Sequence, residues 1–446
     1  MSNLTDGTVR MLAGWRRVGP AQARVTGPLS AAQLAELIAS APAGGMLARG
    51  AGRSYGDAAQ NGEGVVLQPV TGEHIHVDPS GASVRAAASV TFTELLAHTI
   101  PLGLLPLVLP GTRHLTVGGA IAADVHGKNQ RTDGSIAAWI EKIELMDGTG
   151  TLRTLLPGTP AFLATVGGLG LTGVIISAQL RLRRIASTRL WTMTRRFPHL
   201  DALLAALDSH GSEYSAAWVD LAAPGESLGR GVLSSGEHLA EPWLGEARGL
   251  RYDPGRPGTL PWLGVSPVTP LTTRVFNHVW YWASPDGRHA MADLPEFFHR
   301  FDEARSSHRA LGRRGSVQYQ FVVPLGAEAV IAEVITELQR HRAAAFLGTL
   351  QRFGPASGGY LSFPIEGWSL AIDLPARPGL RSLLDRLDLR VARASGQVYL
   401  AEDVRLSREA FTAMYGDLVN WRSARAKLDP NGIFRSDLGR RLGLVT

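Results

Sequence analysis

Two glycine-rich stretches hold the residues best suited to chemistry: RGAGRSYGD from Arg49 to Asp57, and PGTRHLTVGGAIAADVHGKN from Pro110 to Asn129. Glycines at Gly50, Gly52 and Gly56, and again at Gly111, Gly118 and Gly119, let backbone N–H groups approach an anion with no Cβ in the way. A diphosphate requires such a cradle, and Arg49 and Arg53 can add charge to it. The pattern is neither a Walker loop, which ends in Gly-Lys-Ser/Thr, nor a strand–GxGxxG–helix fingerprint. Spacing alone leaves tight turns in a glycine-rich chain as an equal explanation.

His126 is the member of the second stretch whose type fits proton transfer, because imidazole titrates near neutrality, although lone histidines are more often structural or solvated. Gln318 and Gln320, in SVQYQFVVP, stand two residues apart and share one face of a strand. That face is either part of a site or the polar side of an edge strand.

Composition narrows the chemistry. The chain has 446 residues, 45% hydrophobic, with 51 Gly, 26 Pro and no Cys. It is long enough for two or three domains and apolar enough for a packed core. Absence of cysteine removes disulfides, thiolate metal sites, cysteine nucleophiles and sulfur-tethered cofactors, and no metal site is expected. Lys+Arg number 45 against 39 Asp+Glu, and Lys128, Lys142 and Lys427 are the only lysines. A surplus of +6 over this length, with no block of like charges, argues against a nucleic-acid partner. The opening MSNLTDGTVRMLAGWRRVG is polar where a signal peptide needs an apolar core, and the apolar stretch from Ile100 to Pro110 is too short and Pro-broken to span a bilayer. The expectation is a cytoplasmic protein, with peripheral contact at a membrane surface left open.

The elements that must position these residues follow from periodicity. Ser30 opens the helix LSAAQLAELIASAP, closed by Pro42, and Thr91 with Glu94 forms the capping box of a second. MLARGAGRSYGDAAQNGEGVVLQPV reads as an apolar segment, a glycine loop and a β-type run. IEKIELMDGTGTLRTLLP alternates on both sides of Asp147-Gly148, a hairpin signal. From about residue 190 the character shifts, and Gly249 to Pro267 looks like a long surface loop. SVQYQFVVP and GWSLAIDLP flank the helical AEAVIAEVITELQRHR, and the amphipathic PGLRSLLDRLDLRVARA precedes the β-type run GQVYLAEDVR. The class is α+β.

RGAGRSYGD, PGTRHLTVGGAIAADVHGKN, ATVGGLGLTGVI (Ala164 to Ile175), VQYQFVVP, RFGP, LSFPI with its following GW, and WRSARAKLDPNGIF (Trp421 to Phe434) resemble, in order and spacing, the vanillyl-alcohol-oxidase-type FAD flavoproteins. Within them the resemblance is to the branch of decaprenylphosphoryl-ribose 2-oxidases, and it runs from about Gly14 to Leu442. It implies a two-part FAD-binding domain of the PCMH type, residues 10–188 completed by a C-terminal tail at 397–446, with an inserted α+β substrate domain at 189–396. It implies FAD contacts from Arg49, Gly50, Ala51, Gly52, Arg53, Ser54, Tyr55, Gly56 and Asp57, and from Gly111, Thr116, Val117, Gly118, Gly119, Ala123, Val125, His126, Gly127, Ile175 and Tyr399. His126, Tyr55, Lys128, Gln318 and Gln320 would stand at the reacting face as catalytic candidates, with Trp218, Gln351, Phe353 and Ser369 on the substrate. The wider superfamily often carries a His in the first loop that bonds the flavin. Arg53 stands there instead, so FAD is expected to be non-covalent.

The departures from that branch concern charge. Where its tail strand has a lysine between Tyr-x-Ala and Asp, YLAEDVR has Glu402, and a second pocket lysine is replaced by Gln351. The Asn and Cys after Gly-Trp become Ser369 and Ala371, and a Tyr before the glutamine strand becomes Leu311. Two cations are gone and one anion has arrived, which disfavours an anionic phosphodiester unless an arginine such as Arg352 substitutes from nearby. The expected activity is FAD-dependent oxidation of a secondary hydroxyl of a sugar or sugar derivative to a keto-sugar, which could form the oxidising half of an epimerisation completed by an NAD(P)H-dependent ketoreductase. Glu402 would act as a base or pair with an ammonium. The alternatives are an alditol or aldonolactone oxidase and a degenerate flavin-binding protein without turnover.

Overall fold

The computed structural model describes residues 7–68, 75–239, 249–253, 267–299, 315–356 and 358–445. Three sheets and the helices packed on them make an α+β architecture. The first sheet orders its strands Thr8–Leu12, Ala21–Thr26, Val65–Leu67 and Met46–Ala48. The second runs Ile75–Val77, Ser83–Ala87, Val174–Arg184, Ile140–Met146 and Leu152–Leu155, with Leu104–Pro106 also paired to Val174–Arg184. The third has eight strands: Arg288–Asp293, Arg189–Phe197, Gly231–His238, Tyr214–Val219, Leu347–Phe353, Gly367–Pro375, Ser316–Pro324 and Gln397–Val398.

Local chemistry sets the element ends much as the periodicity predicts. Ser30 and Thr91 each close a capping box, on helices Ala31–Ala39 and Phe92–Thr99, so the orphan N–H groups of the first turn are satisfied. The hairpin around Asp147 is present, Ile143 pairing with Leu155. Asp147 itself fixes the turn by accepting from Thr149 N at 2.8 Å and Thr151 N at 3.1 Å. The β-type run GQVYLAEDVR is mostly not a strand. Only Gln397–Val398 pairs, because the chain then turns, with Glu402 N donating to Tyr399 O at 3.2 Å and Asp403 accepting from the N–H groups of Arg405 and Leu406. Most of the loop read at Gly249 to Pro267, and Leu311, lie outside the described residues.

The third sheet divides its two faces by the period of two. Leu350, Leu370, Ile372, Tyr319 and Phe321 turn to one side and join a core with helices Leu200–Ser209, Ala329–Arg340 and Leu380–Arg393. Their neighbours Thr349, Gln351, Ala371, Asp373, Gln318 and Gln320 turn to the other side, where a cavity lies.

The C-terminal segment returns to the N-terminal sheets. Phe434 bridges Met46, Trp421 Nε1 donates to Ala164 O at 3.1 Å, and Gly148 N donates to Leu428 O at 2.7 Å. Arg441 closes this return by binding Asp57 at 2.8 and 3.0 Å. No helix among the described residues is long and apolar enough to cross a membrane.

Candidate active site

The glycine loops and the polar face of the eight-stranded sheet enclose a cavity of about 1080 Å³. Small-molecule sites usually span about 300–1,000 Å³, so the space suits a cofactor together with a substrate. Arg49, Gly50, Ala51, Gly52, Arg53, Ser54 and Tyr55 form one wall. Gly111, Thr116, Gly118, Gly119, Ala123, Val125, His126, Gly127 and Ile175 form the next.

The two loops interlock at Gly50, where a Cβ would stand 2.2 Å from Thr116 Oγ1. That hydroxyl also caps helix Val117–Ala122 by accepting from Gly119 N. Gly52 adopts φ +64°, a conformation that favours glycine. Gly50, Ala51 and Gly52 form no hydrogen bond through N–H to the described residues, as an anion cradle requires. The arginines are more occupied than the sequence suggests. Arg49 donates to Ala59 O at 2.7 Å and Ala13 O at 2.8 Å, bracing the loop, and Arg53 stacks 3.9 Å above the Trp15 ring.

Three of the expected cofactor contacts are not among the residues that line the cavity. A Cβ at Gly56 would meet Asp403 O at 1.8 Å, Asp57 is bound to Arg441, and Val117 is buried in the second sheet's core. All three stand behind the cavity wall. The same holds for two expected substrate contacts. Phe353 packs edge-on to His126 at 4.8 Å and Ser369 is a buried partner of Gln320, so both support residues that do line the cavity.

His126, Lys128, Trp218, Gln318, Gln320, Gln351, Tyr399 and Glu402 all reach the cavity. Gln320 Nε2 lies 3.1 Å from His126 Nε2 and 3.1 Å from Ser369 Oγ. Phe353, Phe363 and Tyr399 pack around the imidazole, and burial pushes its pKa down to about 4. His126 is therefore neutral across the physiological range. Asp124, two residues before it, sits at φ +44°, a strained conformation of the kind that clusters at functional sites. Tyr399 donates from Oη to Ala123 O at 2.9 Å and Gln351 donates to Gly127 O at 3.2 Å, so the tail and the sheet both grip the His126 loop. Lys128 Nζ lies 4.1 Å from the centre of the Phe297 ring.

The opposite polar group is acidic. Glu402 carries a carboxyl oxygen, Oε2, that is shut from solvent and has no hydrogen-bond partner. Burial pushes its pKa up to about 8, with Asp373 adding to the rise and Arg16 opposing it. Burial also pushes the Tyr55 phenol up. Arg352 does not replace the missing cations, since it is bound to Asp208 and Glu366. The cation in this part of the wall is Arg16, which sequence reasoning missed together with Asp373. Asp373 was within reach, since it falls two residues beyond Ala371 on the same strand face. Arg16 had no local signal.

A flavin fits these donors: a glycine cradle for a diphosphate, a roomy cavity and a polar reacting end. Residues 22–156 match the family of the FAD binding domain. The chain belongs to the vanillyl-alcohol-oxidase-type FAD-binding oxidoreductases, and is an FAD-dependent enzyme acting on CH–OH groups. It is 36% identical to decaprenylphosphoryl-beta-D-ribose oxidase of Mycolicibacterium smegmatis, covering 98% of each chain. It is also 39% identical to a protein of the mprA 5′ region of Streptomyces coelicolor, over 80% of this chain and 100% of that one. Alditol oxidase of a Streptomyces species is 31% identical over a shorter stretch, 35% of this chain and 37% of that protein.

Proposed function

We propose that this enzyme oxidises a secondary hydroxyl of a sugar or sugar derivative to a keto-sugar, with FAD held non-covalently. The observation that carries the reading is the pairing, in one cavity, of a glycine cradle with an unbonded carboxyl, Glu402, whose pKa lies near 8. FAD, when bound, accepts the hydride of a carbinol C–H. This chain's residues supply the rest. Glu402 takes the hydroxyl proton, a task for which a base titrating near the working pH is best matched. His126, neutral and held by Gln320, orients the hydroxyl, and Trp218 and Gln351 flank the sugar. Residues 397–446 complete the FAD domain begun by 10–188, and 189–396 form the substrate domain, a division supported by the return of Phe434 and Trp421 to the N-terminal sheets.

Likeness to the mycobacterial ribose oxidase supports a sugar derivative as substrate, and a partner ketoreductase would complete an epimerisation. Glu402 and Gln351 in place of cations favour an uncharged or amine-bearing sugar over a phosphodiester. Membrane contact is supported by helix Pro270–Ala283, which buries Thr273, Asn277 and Tyr281 while exposing Leu271, Val275, Phe276, Val279 and Trp282. Isolation of the product tests the reaction. A ketone at a former secondary carbinol supports it, whereas a lactone or an aldehyde would favour an aldonolactone or alditol oxidase. Yellow colour retained on the denatured chain would contradict non-covalent FAD.

A further inference from the structure

Arg16 reaches the cavity from the segment after the first strand, against the glycine loop. Trp15 N donates to Ser54 O at 2.8 Å, and the Arg16 guanidinium lies 4.7 Å from the centre of the Tyr55 ring. Its Nη2 donates to both carboxylate oxygens of Asp373, at 3.0 and 3.1 Å, although 357 residues separate the two. Gln318 Nε2 adds a bond to Asp373 Oδ1 at 3.1 Å. Glu402 enters beside them from the tail turn, whose Ala401 O accepts from Tyr55 N at 3.2 Å. The charged and titratable groups facing Glu402 are Arg16, Asp373, Tyr55 and Tyr399.

Two carboxyls therefore face one guanidinium, which binds Asp373 through both carboxylate oxygens, also bonds the Tyr55 hydroxyl, and acts on Glu402 through charge alone. In a low-dielectric pocket a carboxyl that holds no hydrogen bond and faces a second carboxyl is disfavoured as an anion. We infer that Arg16 is the positioning residue of this pair, pinning Asp373 as a fixed acceptor and leaving Glu402 as the carboxyl that exchanges a proton with the substrate. The inference rests on the reading of Glu402 as base. In the step it serves, the substrate O–H proton passes to the Glu402 carboxylate as the carbinol carbon loses its hydride to the bound flavin, giving a ketone. Arg16 touches neither proton nor hydride. It acts through the two carboxyls.

The test uses the FAD-loaded full chain in two readouts. Infrared difference spectra against pH follow the carboxylic-acid C=O band of Glu402, identified by its loss in Glu402→Gln, and need no substrate. Anaerobic flavin reduction against pH follows the base in the reaction. Arg16→Gln should move both midpoints to higher pH by about one unit, a tenfold change in proton affinity. Arg16→Lys, which keeps the charge and guards against misfolding, should move them less, and Asp373→Asn should move them down. Unmoved midpoints with only a fall in amplitude would make Arg16 a structural clamp and overturn the inference. A band that shifts as expected in a protein whose flavin no sugar reduces would uphold the carboxyl pairing and sink the proposed reaction.

Discussion

Gln320 and His126 meet at 3.1 Å between Nε2 atoms, joining a strand of the eight-stranded sheet to a loop 194 residues earlier. With the Gln320 amide donating, His126 Nε2 is the acceptor and Nδ1 carries the proton. The ring's N–H is then the buried Nδ1, which is shut from solvent and has no partner, and Nε2 is held by Gln320, so the imidazole suits positioning better than proton abstraction.

Gln320→Leu removes that link without changing the size of the side chain much. Because a displacement of about 1 Å at a reacting group can cost about 10²-fold in rate, flavin reduction should fall by roughly that factor. FAD affinity should change less, since Gln320 bonds His126 and Ser369 and no residue of the glycine cradle. Stopped-flow reduction beside a flavin-binding titration separates the two.

The pH dependence has a definite sign. Glu402 must be ionised to act as a base and its pKa is raised to about 8, so the rate of flavin reduction should climb with pH through that value and level off above it. His126, pushed down to about 4, should add no inflection near neutrality. Glu402→Gln should flatten the profile and lower the plateau by about 10²-fold or more, the usual scale of general-base catalysis. An inflection retained in that variant assigns the base elsewhere.

Arg441 ties the tail to the first loop through Asp57 and to the tail turn through Asp403 at 2.9 Å. Arg441→Ala leaves Asp57 without its side-chain partner and Asp403 with only the N–H groups of Arg405 and Leu406, at a cost of about 3 kcal/mol, the low end for unpairing buried charges. Its melting temperature should drop by several degrees, and FAD should stabilise the variant less than it stabilises the parent protein.

Helix Pro270–Ala283 exposes Leu271, Val275, Phe276, Val279 and Trp282 beside the basic Arg274, so its outer face should bind vesicles. Cosedimentation with phospholipid vesicles should retain the parent protein, and a Phe276→Ser, Trp282→Ser double variant should remain in solution. Equal sedimentation of the two would remove this helix from any membrane role.

The sequence made local features legible. Capping boxes at Ser30 and Thr91, the hairpin at Asp147 and the long strands at Ser316 and Gly367 follow from neighbours a few residues apart. The motifs around Tyr55 and His126 named the two glycine-loop walls of the cavity, Arg49 to Tyr55 and Gly111 to Lys128. Legibility ended where the determinant was distant: Arg16 and Asp373 find each other across 357 residues, and although Asp373 shares a strand face with Ala371, nothing near Arg16 announces the pair. Gly56, Asp57 and Val117 sit in the same motifs but pack against Asp403, Arg441 and the second sheet's core, and they do not line the cavity.

The central claim is that a sugar carbinol reduces the bound flavin with Glu402 as base. Anaerobic mixing of the FAD-loaded enzyme with a panel of sugars, polyols and polyprenyl-phosphate sugars, followed at the flavin absorption band, tests it directly. The account predicts bleaching by at least one sugar bearing a free secondary hydroxyl, slowed when its carbinol hydrogen is replaced by deuterium and nearly abolished in Glu402→Gln. A flavin that dithionite bleaches but no sugar does, or bleaching that is unchanged in Glu402→Gln, would contradict it.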